Sequence, residues 1–166
     1  MLNTERQTFP TEKDEQFMRE AIRLADESVE RGGGPFGAVI VKNGEIVARG
    51  SNSVTLDNDP TAHAEVKAIR EACRALGTFS LDGCVLYSSC EPCPMCLGAI
   101  YWAGISRIYY GNNRRDAADI HFADDFIYDE LARPLDQRTL PITPLLRDEA
   151  LHTFRRWDLK TDKIAY

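Results

Sequence analysis

The chain is short of histidine (3), tryptophan (2) and cysteine (5), and it has no long apolar run. Each shortage excludes something. The longest greasy stretch, Leu97 to Ile105, is broken by Gly98 and Gly104, whereas a membrane span needs about 20 apolar residues. Met1 to Gln16 is polar and charged, so no secretion signal is expected. An odd number of cysteines in such a chain argues against a disulfide framework and for reduced thiols in the cytoplasm. Basic charge is scarce too: 20 Lys and Arg against 26 Asp and Glu leave a net charge of −6. Phosphate electrostatics supply most non-specific nucleic-acid affinity, so nucleic acid is disfavoured as a partner and no membrane is expected.

What is present fits one folded domain over residues 1–166. A 43% hydrophobic and 28% charged composition is that of an ordinary globular chain with its own core. There is no internal repeat, low-complexity run or linker, and Arg133-Pro134, Pro141 and Pro144 read as turns.

Thr11 with Asp14 resembles a capping box. Met18, Ile22, Ala25 and Val29 then recur at helical spacing up to Gly32-Gly33-Gly34. Phe36 to Val41 and Glu45 to Arg49 flank Lys42-Asn43-Gly44, and Asn-Gly between two such runs is a strong hairpin signal. Ser51 to Pro60 reads as loop. A second helix carries Ala62, Val66, Ile69, Cys73 and Leu76 on one stripe and ends at Gly77. Cys84 to Ser88 is a buried strand, Pro94 to Ala103 a helix opened by proline, and Ile105 to Tyr110 another strand. Helices are expected at Asp124 to Leu131 and Arg147 to Trp157, with a short strand near Leu140 to Thr143. This order predicts an α/β fold, a three-layer α-β-α sandwich around a mixed five-stranded sheet.

Three cysteines crowd into Cys90 to Cys96. Cys93 and Cys96 share one helix face three residues apart, so both sulfurs can reach one ion, and a helix N-terminus favours the thiolate that binds metal. His63, in Thr61-Ala62-His63-Ala64-Glu65 at a helix start, offers a third ligand. Glu65 points about 200° away from His63 on a regular helix, yet in the first turn both side chains can bracket a point beyond the helix end. Three ligands leave an open position, the mark of a catalytic zinc. Other readings of these residues stay open: a redox pair at Cys93 and Cys96, or a structural zinc that adds Cys90 to His63, Cys93 and Cys96. An iron–sulfur run lacks its fourth cysteine. Cys73 and Cys84 read as buried small residues, and His121 and His152 have no partner at ligand spacing.

His63-Ala64-Glu65 followed by Pro92-Cys93-Pro94-Met95-Cys96 resembles the zinc-deaminase signature. Further stretches are Gly33-Gly34-Pro35-Phe36-Gly37-Ala38-Val39, Asn58-Asp59-Pro60 and Leu97-Gly98-Ala99-Ile100-Tyr101-Trp102-Ala103, together with Asp116-Ala117-Ala118-Asp119, Phe122, Phe126-Ile127-Tyr128 and Tyr166. With these the chain resembles, over nearly its full length, the small guanine deaminases of the cytidine-deaminase-like fold.

The resemblance implies a hydrolase acting on C–N bonds in cyclic amidines, converting guanine to xanthine and ammonia in purine metabolism. It implies one Zn²⁺ per subunit, with a bound water or hydroxide, on His63, Cys93 and Cys96, and Glu65 as proton shuttle. It places Asn52 and the Ala64 N–H on the purine, Phe36 and Trp102 as aromatic walls, Asp124 at the guanine edge assisting proton transfer, and Tyr166 closing the site. It further implies a homodimer with a C-terminal segment, from about residue 120, exchanged between subunits, so that Asp124 and Tyr166 come from either one. Competing expectations are a deaminase of guanosine, cytidine or another nucleobase, a tRNA adenosine deaminase, and a non-enzymatic zinc or redox module.

Overall fold

The computed structural model describes residues 10–166, so the first nine residues of the polar Met1 to Gln16 segment lie outside the described residues. The chain divides into two compact units, Met1–Ala123 and Asp124–Tyr166.

The first unit begins with α1 (Glu12–Glu30), whose capping box is formed as expected: Asp14 N–H donates to Thr11 Oγ1 at 3.2 Å and the Asp14 carboxylate accepts from Thr11 N–H at 2.7 Å. Strands β1 (Gly37–Lys42) and β2 (Glu45–Ser51) form the expected antiparallel hairpin. Asn43 and Gly44 at its tip both take positive φ, 52° and 78°, as the tight hairpin turn requires. After α2 (Val54–Asp57) come α3 (Ala64–Leu76), β3 (Cys84–Cys90), α4 (Pro94–Ala103), β4 (Arg107–Asn112) and α5 (Arg114–Asp119).

The sheet order is β2-β1-β3-β4, antiparallel except for the parallel pair β3 and β4. A parallel pair needs a crossover, and α4 supplies it. Side chains alternate across the sheet. Ala38, Ile40, Cys84 and Leu86 enter the core beneath α3 and α4, while Val39, Val41 and Tyr87 pack with Ala21 and Leu24 of α1. Three layers result, α1 over the sheet over α3 and α4.

The expected sheet had five strands and the observed one has four. Residues 140–143 form no strand. Pro141 and its neighbour Pro144 remove backbone donors from a ladder that needs them.

The predicted helix stripes hold in large part: Ala25, Ala62 and Val66 are buried, and Met18, Ile69, Cys73 and Leu76 pack against the core. On α1, Ile22 and Val29 are exposed while Ala21, Leu24, Ala25 and Ser28 are buried. On α3 the deep positions are Ala64, Ala68 and Ala72. Close backbone approach explains both. A Cβ at Gly37 would meet Ala21 O at 2.2 Å, and one at Gly50 would meet Ala64 O at 2.1 Å. Glycine on the strand and alanine on the helix let the layers touch, and Ile22 and Val29 are left on the outer side of α1.

The second unit holds α6 (Asp125–Ala132), a 3-10 turn (Leu135–Gln137) and α7 (Arg147–Asp158). Both helices match their expected spans to within a residue or two. Among the described residues no helix is long and apolar enough to cross a membrane.

Candidate active site

The site forms where two helices begin. α3 starts at Ala64 with His63 as its N-cap, and α4 starts at Pro94 with Cys93 as its N-cap. The turn before His63 is laced by hydrogen bonds: Thr61 N–H and Oγ1 donate to Asp59 at 2.8 and 2.7 Å, and Ser53 N–H donates to Ala62 O at 3.0 Å. Before Cys93, Glu91 N–H donates to Asn112 O at 2.8 Å, and Arg114 clasps the Glu91 carboxylate at 2.7 Å. The two ligand-bearing turns are therefore tied to the rest of the unit.

His63, Cys93 and Cys96 come together, with their ligand atoms all within 4.8 Å of one another. His63 Nδ1 lies 3.5 Å from each sulfur. A tetrahedral zinc with ordinary Zn–N and Zn–S bonds needs a separation of roughly 3.6 Å. The donor set also suits a borderline-soft ion, so the residues present fit zinc. The Cys93 thiol is pulled down to about 4, chiefly by a hydrogen bond from Cys96 and then by His63 and the Cys96 N–H. Cys96 is pushed up by the same bond and by burial.

Glu65, 6% exposed, shares this pocket of polar groups. Its Oε1 accepts from Ser88 Oγ at 3.1 Å and its Oε2 from Cys96 Sγ at 3.4 Å. Burial raises the pKa of this carboxyl, because a low-dielectric setting disfavours the anion.

Asn52 is 6% exposed. Its Oδ1 accepts from Gly34 N–H at 3.1 Å and Val54 N–H at 3.2 Å, which leaves its amide NH₂ as the part that can donate. Asn52 N–H in turn bonds Phe36 O at 3.0 Å. The Phe36 ring meets Phe122 edge to face, with centroids 5.0 Å apart at 89°.

Trp102 lies on α4, the helix that Cys93 caps. It is 72% exposed in the last turn of α4, about 9 Å of helix rise beyond Cys96. Asp124, the N-cap of α6, and the terminal Tyr166 belong to the second compact unit.

Two features escaped the sequence reading. Ser88 looked like one more residue of a buried strand. Its signal was the alternation itself, which places a hydroxyl on a face otherwise apolar. Helix α5 was also missed, although Asn113 and Asp116 form a second capping box.

Residues 11–112 match the family described as the cytidine and deoxycytidylate deaminase zinc-binding region. The guanine deaminase of Bacillus subtilis is 53% identical over 153 residues, covering 92% of this chain and 98% of that protein. An X-ray structure of guanine deaminase from Bacillus subtilis superposes with a TM-score of 0.89 at 53% identity, over 92% of this chain and 98% of that one. The tRNA-specific adenosine deaminase of Bacillus subtilis is 46% identical over 99 residues, 60% of this chain and 62% of that protein.

Proposed function

Because the chain belongs to the cytidine and deoxycytidylate deaminase zinc-binding family, we propose that it hydrolyses guanine to xanthine and ammonia. The observation that carries the substrate is the extent of the match. Similarity to a guanine deaminase runs through 92% of the chain, whereas similarity to a tRNA adenosine deaminase covers 60%. The net charge of −6 also disfavours a polyanionic substrate.

His63, Cys93 and Cys96 would hold one zinc ion per subunit. When bound, zinc supplies a Lewis acid that makes water nucleophilic at neutral pH. Water adds to guanine C2, the carbon that bears the exocyclic amine. Glu65 takes a proton from that water and delivers one to ring N3. It then carries the second to the amine, so that the C2–N bond breaks and ammonia leaves. A carboxyl whose pKa is raised by burial suits this two-way role, since a general acid–base works best near the ambient pH.

Asn52, with its oxygen occupied by two backbone donors, offers hydrogen bonds to acceptor atoms of the purine. The Ala64 N–H, in the first turn of α3, offers another. Phe36 forms one wall of the base pocket and Trp102 the other. Asp124 meets the guanine edge and assists proton transfer, and Tyr166 closes over the ligand.

The protein acts as a cytoplasmic homodimer in which the segment from about residue 120 is exchanged. Two observations support that assembly. α4 presents Met95, Tyr101 and Trp102 to solvent, and the C-terminal unit has no buried residue. Both are surfaces that a second copy would cover.

The test is ammonia release by the zinc-loaded protein from guanine, guanosine, adenine, cytosine, cytidine and tRNA, each offered alone. Release from guanine alone is expected. Release only from a nucleoside or from tRNA would overturn the substrate assignment.

A further inference from the structure

Strand β3 sends Cys84, Leu86 and Ser88 toward α3 and α4, and its neighbour β1 sends Ala38 and Ile40 the same way. Ser88 is paired with Ala38 across the ladder and is 1% exposed. A hydroxyl in such a place is costly unless it finds a partner, and alanine would fill nearly the same volume without that cost. The partner is Glu65 Oε1, at 3.1 Å. Ser88 therefore spends a core position on one carboxylate oxygen.

The two oxygens of Glu65 are not equivalent. Oε1 is held by a serine hydroxyl, whereas Oε2 lies 3.4 Å from Cys96 Sγ, one of the three ligand atoms. A thiol that has become a metal ligand is a thiolate and no longer donates. Between these two side chains, Ser88 is the one that keeps its donor when the metal is in place.

We propose that Ser88 is a positioning residue whose hydroxyl fixes the Glu65 carboxyl, so that Oε2 is the oxygen that takes and returns the proton. With Oε1 accepting from Ser88, the protonated carboxyl carries its hydrogen on Oε2, the side of the ligand cluster. Without the hydroxyl the carboxyl loses its serine donor and is left to its own backbone N–H, and the proton is carried in the productive orientation for only part of the time. The inference rests on the reading of Glu65 as the proton carrier.

Two measurements on the full-length, zinc-loaded protein test it. In the first, Ser88→Ala is expected to lower kcat on guanine about tenfold with KM within about a factor of two, a loss confined to the transition state. Zinc content should be unchanged. Ser88→Thr keeps the hydroxyl on a β-branched residue suited to a strand, and should recover kcat to within about threefold of the unmutated protein. Unchanged kcat in Ser88→Ala would overturn the proposal, as would a loss that follows zinc content.

The second measurement needs no substrate. Urea midpoints are compared for the unmutated protein, Ser88→Ala, Glu65→Ala and the double variant. Ser88→Ala should lower the midpoint when Glu65 is present. It should leave it unchanged or raise it when Glu65 is absent, because the hydroxyl is then an orphan. Equal shifts in both backgrounds would show that the two groups do not interact and would sink the proposal whatever the substrate. Failure of the unmutated protein to release ammonia from guanine would remove the substrate reading alone, and the urea cycle would still decide the bond.

Discussion

The two compact units are built on different principles. In the unit ending at Ala123, apolar side chains close both faces of the sheet, and Ile40, Leu81 and Leu86 are sealed from solvent. In the unit from Asp124 onward no residue is buried, and Phe126, Leu145, Phe154 and Tyr166 lie open. Polar clasps hold it together instead. Glu130 accepts from Thr139 N–H at 2.7 Å and from Arg133 at 2.7 Å, and Arg138 donates to two carbonyls at 3.3 Å. Hydrophobic burial is the dominant stabilising force of a fold, and the first unit has it on both faces of its sheet. The second carries an apolar surface still to be covered. The residues proposed for proton and metal chemistry sit in the first unit, and those proposed for substrate closure sit in the second.

The sharpest way to break that division is Glu65→Gln. It removes the proposed proton carrier from the first unit while leaving size and burial alone. Turnover of guanine should fall by about 10³-fold or more, since general acid–base catalysis alone contributes that order. Zinc measured by atomic absorption should remain at one per chain. Substantial residual turnover would mean that another group moves the proton.

The same division predicts a smaller and different effect in the second unit. Asp124→Asn, and removal of Tyr166 alone, should each reduce kcat/KM for guanine by about 10- to 100-fold through lost positioning. Zinc content and the urea midpoint of the first unit should stay the same. The two tryptophans separate the readings, because Trp102 lies in the first unit and Trp157 in the second. Fluorescence of Trp102→Phe then reports the C-terminal unit, and that of Trp157→Phe reports the core. A truncation that moved the core midpoint would erase the distinction between the units.

Legibility in the sequence followed the same line. Where local chemistry decides, the reading held: Thr11 and Asp14 cap α1, Asn43-Gly44 turns the hairpin, and Pro94 opens α4. The ligand trio was legible because helix N-termini and the i, i+3 spacing are local too. Tertiary packing overrode the rest. The stripe on α3 packs as read, but Ile22 and Val29 of α1 lie open, and the deepest helix positions are alanines because Gly37 and Gly50 bring backbones into contact. The strand expected near Leu140 failed on its prolines. Helix α2, four residues long, is too short to show a period. Ser88 became visible only when β3 and α3 were seen to face each other, since its partner lies 23 positions away.

The smallest expected effect contrasts two glutamates. In the first unit Glu20 receives Arg23 at 2.8 Å and Arg49 at 2.7 Å, joining α1 to β2. These bonds, Arg23 first, pull its carboxyl from 4.5 down to about 2. An acid with a depressed folded pKa adds stability above its unfolded value and loses it as pH falls through the folded one. The window is therefore pH 4.5 down to about 2. The arginines are about half exposed, so the bonds contribute only about 1 kcal/mol at neutral pH. Glu20→Gln should lower the unfolding free energy by that amount at pH 7, read as a lower urea midpoint, and flatten the acid decline seen by Trp102. Asp14 and Glu91 are depressed in the same direction and keep part of the slope. Glu130, half-buried beside Arg133 and held down chiefly by the Thr139 N–H, shifts the same way. Its replacement by Gln should loosen the Thr139 turn, seen by Trp157, and leave the core midpoint where it was. Acid sensitivity of equal size in both tryptophan signals would show that the two units melt as one.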